Sequence, residues 1–566
     1  LQQVRAFLSP DNPLGFGPAD MVELVAALLL AAFFLLRSGR RRAQLERFAA
    51  KTGWCMLLLG ALPIVLRLAL LTRYPAPVAS GSDDFGHILL ADTLRHFRLA
   101  NPPHALPQFF QQIFVLQEPT HSSIYPLGQG SVLALGWMLF GHPWAGVLLS
   151  TGALCALVYW MLRAWVPPVW ALAGGFLAVS QFGPLSYWMN CYWGGAVSAC
   201  AGCLVCGALP RIFDTDGNQR RSAILLGAGL SLQLLTRPYE FFLLLAAVLF
   251  FAAIEWRNWR RLAAALPLVV LLVAAAAGVT LLQNKQVTGQ WSTIPYQAYR
   301  YRYGVPPTFT WQVNAVPHGS LNSEQQLDYE TETAVHGPNL DTPSAYWDRL
   351  LFRVRFYRFF LPAPLYLALF GFLLLLRRQP RLVWALAAIL LFSLGTNFFS
   401  FFFPHYVGAV GCLFLLIAVA GLQRLNQVGT LLLFISAAHF TFWYGVHAVG
   451  SKQMLFALTP YESWDYINQG DPQGRIAVAQ QLARQNGQQL VFVRYSPQHR
   501  FQEWINNGPD IDGSAVVWAH DLGPEENAKL RHYYPNRKAW LLEPDAQPPR
   551  LTLFPAEKTQ LFQDVP

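Results

Sequence analysis

The sequence predicts an α-helical polytopic membrane protein that closes with a small carboxy-terminal α/β domain, and three observations predict it. Of the 566 residues, 54% are hydrophobic and only 13% are charged, about half the charged share of an ordinary globular protein, which excludes a soluble enzyme. Several apolar runs, among them 21–36 with its apolar flank, 262–282, 382–403 and 428–449, have the length needed to cross a bilayer, roughly 17 to 25 residues. After Gly450, helix-like and strand-like stretches alternate instead of continuing as apolar runs.

Taken in order, about twelve spans are expected, at 19–36, 54–72, 144–162, 169–186, 193–210, 222–235, 239–254, 262–282, 361–376, 382–402, 406–422 and 428–449. The connections 37–53, 163–168, 211–221, 255–261, 377–381 and 423–427 share one side and hold seventeen Lys and Arg, whereas the short connections opposite them hold only Arg237. The positive-inside rule then puts both termini on the extracytoplasmic side of an inner membrane. Residues 128–141 are apolar but too short for a crossing. Counting them as one would turn Arg220, Arg221, Arg260 and Arg261 outward, so an interfacial helix is expected there. No cleavable signal peptide is expected, because the first apolar run is long and leads into an arginine cluster.

The formal charge of +10 follows the same division. From Gly450 onward there are 11 basic and 13 acidic side chains, so the preceding 449 residues carry +12. The excess sits beside spans, which is orientation charge and not a groove for nucleic acid. Two domains are expected: 1–449, a transmembrane domain with outer loops at about 73–143 and 283–360, and 450–566, an extracytoplasmic α/β domain. Its elements are helical 475–485, strand 489–495, strand 514–519, helical 525–533 and strand 538–542. All seven cysteines lie in or beside spans. Cys200, Cys203 and Cys206 sit among Ala and Gly with no His or carboxylate beside them, so small-residue helix packing is expected there and not a metal site.

The first outer loop opens with Ser80-Gly-Ser-Asp-Asp-Phe-Gly-His87. Adjacent carboxylates at Asp83 and Asp84 repel, which raises one pKa and suits it to accept a proton. The competing reading is a turn in which Ser82 or Asp83 caps a helix running through Phe85, Ile88, Leu89, Ala91 and Leu94. The same loop then carries Glu118-Pro-Thr-His-Ser-Ser-Ile-Tyr-Pro-Leu127 and runs directly into the short apolar helix.

An apolar span, an acidic pair followed by a short helix, and a Tyr-Pro element before an interfacial helix together resemble the GT-C glycosyltransferases. The resemblance is nearest to protein O-mannosyltransferases and lipid A aminoarabinose transferases. Asp83-Asp84 matches the acidic pair of that family, and Tyr125-Pro126-Leu127 matches its His-Pro-Pro or Tyr-Pro-Pro element, with Leu127 in place of the second Pro. It extends over about 54–250; an added amino-terminal span and an unmatched second outer loop depart from it. The resemblance implies transfer of a sugar from a polyprenyl-phosphate carrier to a glycan, lipid or protein acceptor on the outer side, usually with inversion. Asp83 would then be the general base, with Asp84 assisting or orienting it.

Such a donor needs cations where phosphate charge builds on the leaving group. Arg237, in Leu-Thr-Arg-Pro-Tyr-Glu240, is the candidate; the alternative is a structural pair with Glu240 or snorkelling to the interface. His405 and Tyr406 sit at another outer helix end, either as part of the same site or as an aromatic belt. The aromatic- and arginine-rich stretch 291–306, with Tyr299, Arg300 and Arg302, reads either as a substrate roof or as an interfacial anchor. His87, Glu118, Tyr125 and Glu240 complete the candidate substrate-binding set. Asp510-Ile-Asp-Gly-Ser lacks the further ligands of a calcium loop, so no metal is assigned, and a divalent cation stays open as a cofactor. Readings from other classes are an accessory subunit of a larger membrane assembly and a lipid or solute transporter.

Overall fold

The computed structural model describes residues 42–451 apart from 215–217, 307–308, 338–339 and 378, residues 474–554 apart from 500 and 502, and short pieces at 21, 24–29, 32, 467 and 471. The expected first span, 19–36, therefore lies largely outside the described residues. In chain order the helices are α1 (Arg42–Ala49), α2 (Thr52–Ala69), α3 (Ser82–Arg95), α4 (Leu127–Phe140), α5 (Trp144–Leu162), α6 (Pro168–Phe182), α7 (Tyr187–Asn190), α8 (Ala196–Phe213), α9 (Gln219–Thr236) and α10 (Pro238–Ile254). There follow α11 (Trp259–Thr288), α12 (Pro295–Tyr303), α13 (Ser323–His336), α14 (Pro343–Arg353), α15 (Ala363–Leu376), α16 (Pro380–Thr396), α17 (Gly411–Arg424), α18 (Gln427–Val449), α19 (Arg475–Ala483) and α20 (Pro524–Tyr533).

Among the described residues six helices are long and apolar enough to cross a membrane, or seven if the pair Pro343–Phe359 and Ala363–Leu376, bent by 106°, forms one span. The sequence expectation of about twelve is thus met by long crossings in only part. Several expected spans are helical but short: α6 stops before Gly183-Pro184, and Arg237-Pro238 divides one apolar stretch into α9 and α10. The chain is a multi-pass membrane protein in which one large core joins most of these helices.

Small residues allow that packing, because helices in lipid associate through close backbone approach and not through a hydrophobic drive. A Cβ on Gly202 would lie 1.7 Å from the carbonyl oxygen of Ala409, so α8 and the turn 404–410 touch backbone to backbone. The seven cysteines are buried, with free thiols. The expected interfacial segment is α4. It ends on Gly141 in the left-handed conformation (φ 76°) and folds back onto α5. Leu135, Met138, Leu139 and Phe140 face outward from it.

The carboxy-terminal residues build a four-stranded sheet from β3 (Gln489–Val493), β4 (Val516–His520), β5 (Lys538–Glu543) and β6 (Arg550–Leu553), in the order β4-β3-β5-β6. The strands β3, β4 and β5 are parallel, and β6 returns antiparallel on β5. A two-stranded ribbon, β1 (Val115–Leu116) with β2 (Ser122–Ser123), lies in the first outer loop. Val478 and Leu482 of α19 cover one face of the sheet with Trp504. On the other face Leu490, Phe492, Val517 and Ala519 pack with Phe109 and Phe110. Those two phenylalanines belong to the first outer loop, so loop and sheet share a core.

Polar contacts fasten the same junction. Ser82 Oγ donates to Glu503 Oε1 at 2.7 Å. His499 lies between Asp545 (2.7 Å) and Glu324 of α13 (3.4 Å), and the Arg475 guanidinium covers the Phe85 ring at 4.8 Å.

Candidate active site

The acidic pair falls in the first turn of α3, where the helix dipole favours negative charge. Neither Ser82 nor Asp83 caps the helix: the N-cap is Gly81, with no side-chain hydrogen bond. The two carboxylates instead part company. Asp84 Oδ1 accepts from the Tyr192 backbone N–H at 3.0 Å, and Oδ2 accepts from the Ser80 N–H at 3.2 Å. It pins the connection after α7 to the start of α3, and burial pushes its pKa up to about 6, with the neighbouring Asp83 charge a lesser contribution.

Asp83 accepts a hydrogen bond from the Tyr125 hydroxyl. Burial raises its pKa, and the Tyr125 hydrogen bond and the Arg237 charge partly offset that rise. Burial is the dominant cause here, where the sequence pointed to mutual repulsion. Tyr125 reaches Asp83 because residue 86 is glycine: a Cβ there would sit 2.6 Å from the Tyr125 ring. His87 stacks on the same ring, with centroids 4.1 Å apart. Burial, followed by the Arg237 charge, lowers its pKa to about 3, so the imidazole is neutral near pH 7.

Arg237 owes its place to Pro238. A residue preceding proline is steered out of the α region, and Arg237 has φ −146° and ψ 87°. Its N–H closes α9 on the Gln233 carbonyl at 2.7 Å, while its carbonyl opens α10 by accepting from Phe241 at 3.0 Å. The side chain pairs with buried Glu240 at 3.3 Å and covers the Tyr406 ring at 4.9 Å. The expected structural pair therefore exists, and its cation also acts on Asp83, His87 and His405. His405 is held by Tyr187, whose hydroxyl lies 3.2 Å from Nδ1 and accepts from the His405 N–H at 3.1 Å.

The structure thus brings together Asp83, Asp84, His87, Tyr125, Arg237, Glu240, His405 and Tyr406 from four separate stretches of sequence. It disposes of Glu118 and Arg302 differently, pairing them with each other at 2.7 Å on the surface. Tyr299 is buried in a cluster with Leu116, Ile124, Val287 and Tyr303. Arg300 donates to Gln312 at 3.1 Å.

Sequence reasoning missed the residues that α12 and α13 do present. Tyr296 lies one helical turn before Arg300 and feels both Asp83 and Tyr406. Burial, then the charge of Asp83, pushes Asp328 to about 7. Glu332 is pushed to about 8 by burial, then Asp328 and Asp83. The i, i+4 spacing of Asp328 and Glu332 on one helix face was the available signal. Among the described residues no three His, Cys, Asp or Glu side chains converge as metal ligands.

A half-buried carboxylate with a hydroxyl donor and a nearby guanidinium can take a proton beside a developing phosphate charge. No protein-family profile matches the chain, and no curated protein matches it in sequence. Solved structures do match in shape. ArnT from Cupriavidus metallidurans bound to undecaprenyl phosphate superimposes with a TM-score of 0.53 at 11% identity, over 87% of this chain and 93% of that one. Its apo structure gives 0.51 at the same identity and coverage. The chain therefore shares the fold of these two ArnT structures. The oligosaccharyltransferase AglB from Archaeoglobus fulgidus, in complex with an inhibitory peptide and a dolichol-phosphate, is similar at 12% identity over 86% of this chain and 69% of that one, with a TM-score of 0.42. Within this fold the candidate site lies at the start of α3, the break between α9 and α10 and the turn 404–410, next to α12 and α13.

Proposed function

We propose that this chain is a membrane glycosyltransferase that moves a sugar from a polyprenyl-phosphate donor to a hydroxyl acceptor on the extracytoplasmic side of the inner membrane. The observation that carries the reading is Asp83, half-buried, held by Tyr125 and within reach of the Arg237 charge. The undecaprenyl phosphate bound to ArnT, which shares this fold, supports the same donor chemistry. In the proposed step the acceptor oxygen attacks the anomeric carbon from the face opposite the phosphate. Its proton passes to an Asp83 carboxylate oxygen as the bond from carbon to phosphate oxygen breaks, and polyprenyl phosphate leaves with the bonding pair. Configuration inverts, because a single displacement occurs. Arg237 meets the charge growing on the phosphate, with its orientation fixed by Glu240 and Tyr406. Asp84 positions Asp83 by fastening the first turn of α3. Within an extracytoplasmic domain at 450–566, residues 474–554 hold both outer loops over the site.

The test is mass spectrometry of lipids that co-purify with the protein in detergent. Polyprenyl-phosphate sugar retained by wild type and Asp83→Asn, and lost from Arg237→Ala, is the expected result. A wild-type protein that retains phospholipids but no polyprenyl lipid overturns the reading.

A further inference from the structure

At the opposite end of the bundle lies a cavity of about 670 Å³ that plays no part in the proposed transfer. It opens where α2 and α9 begin and α5 and α8 end, and three of its lining residues are Arg163, Arg211 and Arg221. Arg221 lies sixteen residues before Arg237, which at 1.5 Å per residue places the two ends of α9 about 24 Å apart. The rest of the wall is largely apolar, including Met56, Leu157 and Leu225.

Among the described residues cations outnumber carboxylates there: Arg163 and Arg221 repel Arg211, and Asp214 attracts it. Arg211 Nη1 and Nη2 donate to the carbonyls of Gly207 (2.6 Å) and Trp160 (2.7 Å), and the guanidinium covers the Trp160 ring at 4.2 Å. One Arg163 nitrogen donates to the hydroxyls of Thr52 and Tyr159, both at 3.1 Å. Arg221 is exposed, and only its backbone N–H is engaged, by Asn218. Asp214 has its carboxylate 4.0 Å from Arg381. Among the described residues no carboxylate lies within ion-pair distance of the three arginines, which repel one another across the cavity. Three guanidiniums at the mouth of an apolar cleft between membrane helices match an amphiphile with an anionic head and hydrocarbon tails.

We propose that this cavity binds the phosphate headgroup of an anionic membrane phospholipid, with Arg163, Arg211 and Arg221 as its ligands and the apolar wall receiving the proximal acyl chain. A neutral zwitterionic lipid brings no net charge to offset the three cations. Inorganic phosphate leaves the apolar wall uncovered.

The test uses the full chain in detergent, with native mass spectrometry after addition of phosphatidylglycerol, phosphatidylcholine or inorganic phosphate. Wild type is expected to retain phosphatidylglycerol over phosphatidylcholine. Arg221→Ala should reduce that retention about fivefold, as for one cation near an anionic lipid, and Arg221→Glu further. Arg221 is exposed at a helix start, so both variants keep the fold, and the shape of the thermal unfolding curve checks this. Arg257→Glu, on a different connection, should keep wild-type retention. Equal retention of the two lipids by wild type, or retention unchanged in Arg221→Glu, overturns the proposal. Binding of inorganic phosphate without phosphatidylglycerol also overturns it.

Discussion

The two ends of α9 carry the same cation in opposite settings. Arg237 has Glu240 at 3.3 Å, an aromatic face and the Asp83 charge acting on it, whereas Arg163 and Arg221 crowd Arg211, with no carboxylate within ion-pair distance among the described residues and Asp214 acting from farther off. At the first end charge is balanced, so the proposed donor phosphate would be held by one positioned guanidinium whose geometry matters more than its net charge. At the second end charge accumulates, the pattern expected to orient a chain in the membrane and, on our proposal, to recruit anions by number. The two proposals separate accordingly: directed chemistry where opposite charges lie together, and electrostatic attraction where like charges gather.

Variants of the two ends should separate most widely in turnover. Asp83→Asn keeps the shape but cannot accept the proton, and transfer is expected to fall by about 10² to 10⁴, the usual contribution of a positioned base. Thermal unfolding should be little changed, and turnover near that of wild type would return Asp83 to a structural role. Next in size, Arg237→Ala should weaken donor binding about 10- to 100-fold, from loss of a charged hydrogen-bond partner worth about 1.5–3 kcal/mol. Arg237→Lys should weaken it less, because the charge survives without the fork, and a titration with labelled donor lipid ranks the two. Identical losses would erase the contrast between a positioned cation and an accumulated one.

A smaller effect is expected in the pH profile. Transfer requires ionised Asp83, so kcat/KM falls as pH drops through its pKa, which burial holds above the ordinary carboxylate value. The Tyr125 hydrogen bond lowers that pKa. Tyr125→Phe should therefore move the acid limb to higher pH, and a shift to lower pH would contradict the assignment. The least perturbing test concerns sidedness. A cysteine at Ser514 should react with an impermeant reagent in intact spheroplasts, and one at Arg257 should react only after lysis.

Much of the site was legible because its residues punctuate helices. Asp83 and Asp84 begin one, Arg237-Pro238 interrupts an apolar stretch, and His405-Tyr406 follows another proline. Helix ends carry their polar chemistry in short, readable motifs. Asp328, Glu332 and Tyr296 were not legible in the same way, since they lie on helices inside a long polar loop where acids and tyrosines are ordinary surface residues. Only their folding against Asp83 gives them meaning. Arg302 misled for the converse reason: a conspicuous arginine found its partner in Glu118. The strand positions near 489, 516 and 538 followed from β-branched and aromatic runs, but β6 (Arg550–Leu553) is short, half exposed and adjoined by Pro548 and Pro549. Its pairing comes from β5, not from its own pattern.

The core shared by Phe109, Phe110 and the sheet also bears on how the molecule is made. Nearby, Gln111 accepts a hydrogen bond from His520, 409 residues later in the chain. At about 5 to 20 residues per second, synthesis leaves roughly 20 to 80 seconds between the emergence of the first outer loop and that of its partner. For that interval the two phenylalanines have no sheet to cover them, and the roof over Asp83 cannot close. Until the strands between 489 and 543 have emerged, the nascent chain carries this apolar pair exposed, and the first outer loop reaches its final packing only with them.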